Sequence, residues 1–238
     1  MSIDARLTEV LQKLRNAAAK VGRDPAHIAL VAVSKTKTIE MMSEYAATAT
    51  RVALPIVFGE NYLQEIKEKQ PRLPALSDLH MIGPLQSNKV RDAVRLCDVI
   101  ESVQSLKVLE LVAKEAARIS KRQRVLLQVN IANDDKKSGF TPEELEEALS
   151  VCEKLSHALC VEGLMTILPY DENPEASRPH FKAMAQLRTR LIAEGRERLF
   201  RNNSILLSMG MSDDFAIAIE EGADIVRVGT ALFGERGA

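Results

Sequence analysis

The chain is 238 residues long, 46% hydrophobic and 27% charged, a composition that suits a folded globular protein with a sizeable core and excludes fibrous, collagenous and disordered classes. Its 32 Lys and Arg nearly balance 33 Asp and Glu, leaving a net charge of −1, so no bulk field favours nucleic acid or an anionic membrane. Trp is absent and aromatics reach only 4%, which argues against a stacking platform for single-stranded nucleic acid.

Ile3, Leu7, Val10, Leu11, Leu14, Ala18 and Val21 recur at helical spacing, and Gly22 and Pro25 stop the helix they predict over 3–21. The run IALVAVSKT then reads as a first buried strand, followed by a helix over 38–48. PIVFGEN is a second strand with a charged helix over 62–69. LHMIGPL is a third, with a helix over 87–96, and DVIESV a fourth, leading into an amphipathic helix over 105–120. RVLLQVNI is the fifth; beyond the polar loop NDDKKSG, Thr141 caps the next helix, with Pro142 in its first turn and Glu144 three residues on. CVEGLMTIL, the sixth, precedes a Pro-containing loop and a helix over 173–194. SILLSMGMS is the seventh, with a helix over 213–220, and ADIVRVGTALFG the eighth.

Eight apolar strands alternating with helices predict a parallel sheet with crossover helices, and eight units in this length suit a closed (β/α)8 TIM barrel. An open doubly wound sheet is the rival, but it usually has fewer repeats and a Gly-rich first turn, whereas the first turn here is SKTKT. No linker or break in composition divides residues 1–238, so one domain is expected. The longest apolar run, residues 28–33, is far short of the about 20 residues a membrane span needs. Asp4, Glu9 and the lack of an apolar h-region fit neither a secretory signal nor a transit peptide. A cytoplasmic location is expected. Cys97, Cys152 and Cys160 show no CxxC spacing, the four His are scattered, and Asp134 and Asp135 lack the spacing of a calcium loop. No metal site is expected.

In such barrels the chemistry lies at the strand C-terminal ends. By period-2 alternation Ala29, Val31, Val33 and Lys35 share a face; if that face is interior, Lys35 is its top layer, and desolvation there makes an amine nucleophilic toward a carbonyl. A solvated strand-end lysine is the plainer alternative. SMGMS and RVGTALFG place Gly210, Gly229 and hydroxyls after the seventh and eighth strands, where barrels often bind phosphate, although either glycine alone is more often just a tight turn. Arg227 shares a face with Ile225 and Gly229, and so points inward toward an acceptor: the ring nitrogen of a cofactor, or an internal carboxylate. A strand-end lysine, a phosphate cup and an arginine facing one space suit pyridoxal phosphate (PLP).

At these residues the chain resembles the YggS/PROSC family of pyridoxal-phosphate homeostasis proteins, which are related to the N-terminal barrel of alanine racemase. The resemblance runs through LVAVSKTK, FGENYLQE, HMIGPLQSNK, KKSGF, GLMTI and SMGMSDDFAIAIEEGADIVRVGTALFGER, nearly the whole chain. It implies that Lys35 forms the Schiff base, that Arg227 faces the pyridine nitrogen, and that Ser208, Gly210, Gly229 and Thr230 hold the phosphate. Asn61, His80 and Met165 match positions lining the cofactor or its entrance. Met81 departs from the family pattern, where an aromatic residue is commoner. The implied function is PLP storage and delivery, with PLP-dependent apo-enzymes as partners, no nucleic acid or membrane partner, and a monomeric state.

The alternative is a PLP-dependent amino-acid racemase of low activity. Racemisation needs acid–base groups on both faces of the cofactor. In alanine racemase, the resemblance implies, the second is a tyrosine from another domain, whereas this sequence stops at Ala238, just after the last barrel strand. Tyr62 and Tyr170 are the tyrosines placed to approach the barrel mouth, and Tyr45 is expected to pack within a helix.

Overall fold

The computed structural model describes residues 1–134 and 138–235. Eight strands follow one another around a closed parallel barrel: β1 (Ala29–Val33), β2 (Val57–Glu60), β3 (Asp78–Met81), β4 (Val99–Val103), β5 (Gln123–Gln128), β6 (Leu159–Met165), β7 (Leu206–Ser208) and β8 (Ile225–Val228). β8 pairs with β1, Val31 lying opposite Arg227, and this closes the barrel. The helices are α1 (Ile3–Lys20), α2 (Ile39–Arg51), α3 (Leu63–Lys69), α4 (Val90–Leu96), α5 (Leu106–Arg118), α6 (Glu144–Lys154), α7 (Arg178–Ala193), α8 (Phe215–Glu220) and the one-turn α9 (Thr230–Phe233). The expected (β/α)8 architecture is therefore present. The extra helix α1 packs outside the seam, against α2, α8 and α9.

Strand alternation sorts the apolar residues into two sets. Leu30, Ala32, Phe58, Leu79 and Val226 point outward and join the helices in the large outer core. Val31, Val99, Leu126, Met165 and Ile225 point inward and fill the barrel, with Val57, Ile167 and Leu206 beside them. The inner set is small because polar side chains occupy the layer above it: Glu101, Ser208, His80 and Arg227 are all buried.

Local signals in the sequence explain most element ends. Thr141 and Glu144 exchange the two hydrogen bonds of a capping box, Thr141 N–H to Glu144 Oε2 at 2.9 Å and Glu144 N–H to Thr141 Oγ1 at 3.2 Å. Three expected elements differ from what forms. The eighth apolar run is strand only to Val228, because Gly229 leaves the ladder and Thr230–Phe233 winds into α9. The helix expected from Asn173 begins as a 3-10 turn over Pro174–Ser177, capped by the Asn173 side chain, and becomes α-helical at Arg178. Likewise Ser87–Lys89 is a 3-10 turn before α4. Cys97 and Cys152 are buried, and burial pushes both thiols up to about 12. Among the described residues no group of three or more His, Cys, Asp and Glu could hold a metal, and no helix is long and apolar enough to cross a membrane. Asp135, Lys136 and Lys137 of the polar loop lie outside the described residues.

Candidate functional site

At the C-terminal end of the barrel a cavity of about 300 Å³ opens between the first two units and the last two, at the lower end of the size range of small-molecule sites. Its apolar wall is Val33, Ile82 and Ile167; Lys35, Asn61 and Arg227 face it from β1, β2 and β8. Ser212, Gly229 and Thr230 form the rim on the far side. Five of the nine residues singled out from the sequence (Lys35, Asn61, Arg227, Gly229 and Thr230) therefore share one space. Lys35 is half-buried and stands in the turn two residues beyond Val33, the last residue of β1.

Arg227 reaches the cavity floor from inside the barrel and is 3% exposed. Its Nη1 donates to Ser208 Oγ at 2.6 Å and its Nη2 to the Thr166 carbonyl at 2.8 Å. Ser208 Oγ in turn donates to Glu101 Oε2 at 2.5 Å, and the other oxygen of that carboxylate, Oε1, meets His80 Nδ1 at 2.6 Å. Arg227 Nη1 lies 4.0 Å from Glu101 Oε2. Burial pulls the guanidinium below its ordinary value, while the negative charges of Glu101 and Asp214 oppose that shift. Burial pushes the Glu101 carboxyl up; the hydrogen bond and charge of His80, with Arg227 and Ser208, outweigh it and hold Glu101 below the usual carboxylate range. The floor is thus a charged network in which each member compensates another, as burial of charge requires.

This arrangement relocates four of the expected site residues. Ser208 does not line the cavity: it ends β7 facing the barrel axis, between Glu101 and Arg227. His80 lies two residues before Ile82, which lines the cavity, and meets Glu101 instead, and Met165 belongs to the inner apolar set. Gly210 lies behind the rim, where its φ of +91° turns the chain and its carbonyl accepts the Arg227 N–H at 3.0 Å. A Cβ there would stand 2.5 Å from the Ala218 Cβ, so glycine is required by space as well as conformation.

The turn at Gly210 instead carries Ser212 to the rim. Three donors converge on Ser212 Oγ: the Gly229 N–H at 3.2 Å, the Ala231 N–H at 3.4 Å and the Thr230 hydroxyl at 3.3 Å. Asp214 fixes this loop, accepting from the Met211 N–H at 2.6 Å and from Ser177 Oγ at 3.0 Å. On the opposite wall Gly83 packs against the backbone of Asn61, where a Cβ would stand 2.3 Å from the Asn61 carbonyl oxygen. Asn61 Oδ1 is buried with no hydrogen-bond partner among the described residues. Ser212 is one of the hydroxyls of SMGMS, whereas Glu101 is absent from the residues singled out in the sequence. The signal for Glu101 is its place two residues after the inward Val99, a carboxylate within a buried strand, although the register shifts before Val103.

The profile of the alanine racemase N-terminal domain matches residues 6–237. The chain is 38% identical over 237 residues to a pyridoxal phosphate homeostasis protein of Aquifex aeolicus, covering 99% of both. To a protein of the same name from Pseudomonas aeruginosa it is 39% identical, over 99% of this chain and 96% of the relative. The chain belongs to the pyridoxal phosphate homeostasis protein family. A solved member of the same fold, PipY of Synechococcus elongatus with PLP bound, is 30% identical with a TM-score of 0.80, covering 98% of this chain and 100% of PipY. Alanine racemase from Clostridium difficile, in complex with cycloserine, shares the fold at 15% identity and a TM-score of 0.67, and this chain spans 60% of its length. The resemblance read from the motifs of the homeostasis family therefore holds along the whole chain.

Proposed function

We propose that this member of the homeostasis family binds PLP in the cavity at the barrel mouth, stores it there and releases it to apo-enzymes that depend on it. The observation that carries the reading is the meeting, in one cavity, of an amine (Lys35), a buried cation (Arg227) and a convergent set of donors around Ser212. The residues fit the group chemically. Three donors already focused on one oxygen suit a phosphate oxygen, a half-walled lysine suits a carbonyl, and the unpartnered Asn61 Oδ1 awaits a donor. When bound, PLP supplies an aldehyde and an electron-withdrawing ring. The side of the protein is simpler. Lys35 would hold the group through its amine, the segment from Gly229 to Ala231 with Ser212 would hold the phosphate, and Arg227, fixed by Ser208 and Thr166, would offer a donor to the ring. An arginine there keeps that nitrogen unprotonated and the ring a weak electron sink, which suits storage better than turnover.

A carrier is favoured over a racemase because none of the three tyrosines lines the cavity. Tyr45 is buried in α2 against Phe58 and Phe233, and Tyr62 and Tyr170 are exposed. In this reading the 238 residues work as one domain, monomeric and cytoplasmic. The test is the visible spectrum of purified protein titrated with PLP, followed by borohydride and peptide mapping. One equivalent fixed on Lys35, and none in Lys35→Ala, is the expected result. A protein that takes up no PLP would overturn the reading. Deuterium exchange at the α-carbon of alanine, dependent on Lys35, would move the assignment from carrier to racemase.

A further inference from the structure

The chain on either side of Lys35 is held in an unusual way. Thr36 has φ of +61°, the left-handed region, which is a genuine outlier for a β-branched residue and needs the surroundings to impose it. Its N–H donates to Glu65 Oε2 at 2.8 Å. On the other side of Lys35, the Ser34 carbonyl accepts from Lys69 Nζ at 2.8 Å and from the Lys37 N–H at 3.0 Å. Lys69 joins the two ends, because its ammonium also donates to Glu65 Oε2 at 2.6 Å and to Glu60 Oε1 at 2.7 Å. Ser34 Oγ completes the cluster by donating to Glu60 Oε1 at 2.7 Å.

These are not surface charges. The Lys69 side chain is 12% exposed and that of Glu60 is wholly buried. Glu65 and Lys69 stand at i and i+4 of α3, so one helical face delivers both. An ion pair serving only to join α3 to β2 needs Lys69 and Glu60 alone. Here two of the bonds end on backbone atoms of Ser34 and Thr36, the immediate neighbours of Lys35.

We propose that Glu65 and Lys69 are positioning residues for Lys35: together they clamp the strained turn that aims its amine into the cavity. The importance of that aim rests on the binding function proposed above; the clamp itself does not. Without the Glu65 carboxylate, Thr36 relaxes toward ordinary backbone conformations, which for a non-glycine residue outweigh the left-handed one on the order of tenfold. The direction of Lys35 relaxes with it. A glycine at 36 populates the left-handed region without steric penalty, so it should replace the clamp.

The test uses two probes of Lys35 in wild type, Glu65→Ala and the Thr36→Gly/Glu65→Ala double variant. The first is the rate of PLP uptake, followed by absorbance and by borohydride fixation at Lys35. The second is reductive methylation with formaldehyde, scored as the ratio of modification at Lys35 to that at the exposed Lys114. In Glu65→Ala we expect uptake about tenfold slower and the methylation ratio changed by about threefold or more, with both restored to within about threefold of wild type in the double variant. A folded Glu65→Ala protein whose Lys35 readouts match wild type overturns the clamp, as does a double variant that restores neither. Glu65→Gln is the milder second variant should the alanine protein fail to fold, with shifts of the same sign. If wild type takes up no PLP, the binding function falls and the methylation ratio alone decides the clamp.

Discussion

Replacing Glu101 by Gln preserves the shape of the carboxylate and removes its charge from beneath Arg227. The two groups are 4.0 Å apart and both buried. At an effective dielectric of about 20 their attraction is about 4 kcal/mol. The amide keeps only one acceptor oxygen, so either the His80 Nδ1 contact or the bond donated by Ser208 Oγ is lost as well, and the guanidinium is left buried without its counter-charge. A loss of about 3 kcal/mol is expected, in line with breaking a buried pair, and a fall in Tm of roughly 6–12 °C for a chain of this size. The assay is urea unfolding followed by circular dichroism near pH 7. Arg227→Met in the same background removes the orphaned charge, so Glu101→Gln/Arg227→Met should recover about 2 kcal/mol relative to the sum of the single variants. A Glu101→Gln loss below about 1 kcal/mol, or strictly additive single variants, would refute the idea that this pair compensates itself.

Other expectations follow from single features. Tyr45 is fully buried, its hydroxyl without a hydrogen-bond partner among the described residues, and burial pushes its pKa up; Tyr45→Phe should stabilise by about 1 kcal/mol, and a destabilised variant in the same urea assay would show that the hydroxyl has a partner. A Cβ on Gly163 would stand 2.0 Å from the Leu206 carbonyl oxygen across the β6–β7 pair, so Gly163→Ala should cost about 3 kcal/mol and lower hydrogen-exchange protection in β7; unchanged protection contradicts it. The folded-state pKa of Glu101 is depressed from the usual 4.5, so its contribution is fully present above that value and disappears as pH falls through the folded pKa. Urea midpoints measured from about pH 6 down to about pH 3 should therefore fall more steeply for wild type than for Glu101→Gln; parallel curves would assign the acid sensitivity to other carboxylates.

The barrel was legible because each strand is a short apolar run between helix-like segments, and parallel strands buried on both faces require such runs. Alternation also turned Arg227 inward, since the period holds within one strand, whereas Lys35 lines the cavity from the turn beyond β1. It failed where the question was how far a strand continues. In SILLSMGMS nothing local says that β7 stops at Ser208, which pairs with Ile225 and Met165 inside the barrel. The turn at Gly210 then brings the second serine, Ser212, to the rim. Glu101 was hidden for a different reason. Its partner His80 comes from the adjacent β3, but Ser208 and Arg227 come from β7 and β8, and only closure of the sheet brings them to Glu101. The Glu65–Lys69 cluster combined both difficulties: an i,i+4 pair on a charged helix reads as a solvated face until the helix docks on the first strand's turn.

Closure of the sheet also orders events during synthesis. The amine comes from the first strand and the rim from the last, and Lys37 Nζ donates to the carbonyl of Gly234, 197 positions away. A ribosome that has delivered seven of the eight units has made Lys35 but not Arg227, Gly229 or Thr230. Until the eighth unit emerges, the nascent chain carries Lys35 without the side of the cavity that Arg227, Gly229 and Thr230 supply. Under the binding function proposed above, competence therefore arrives only with the eighth unit, and a chain stopped before it holds the amine without the opposite side of the cavity.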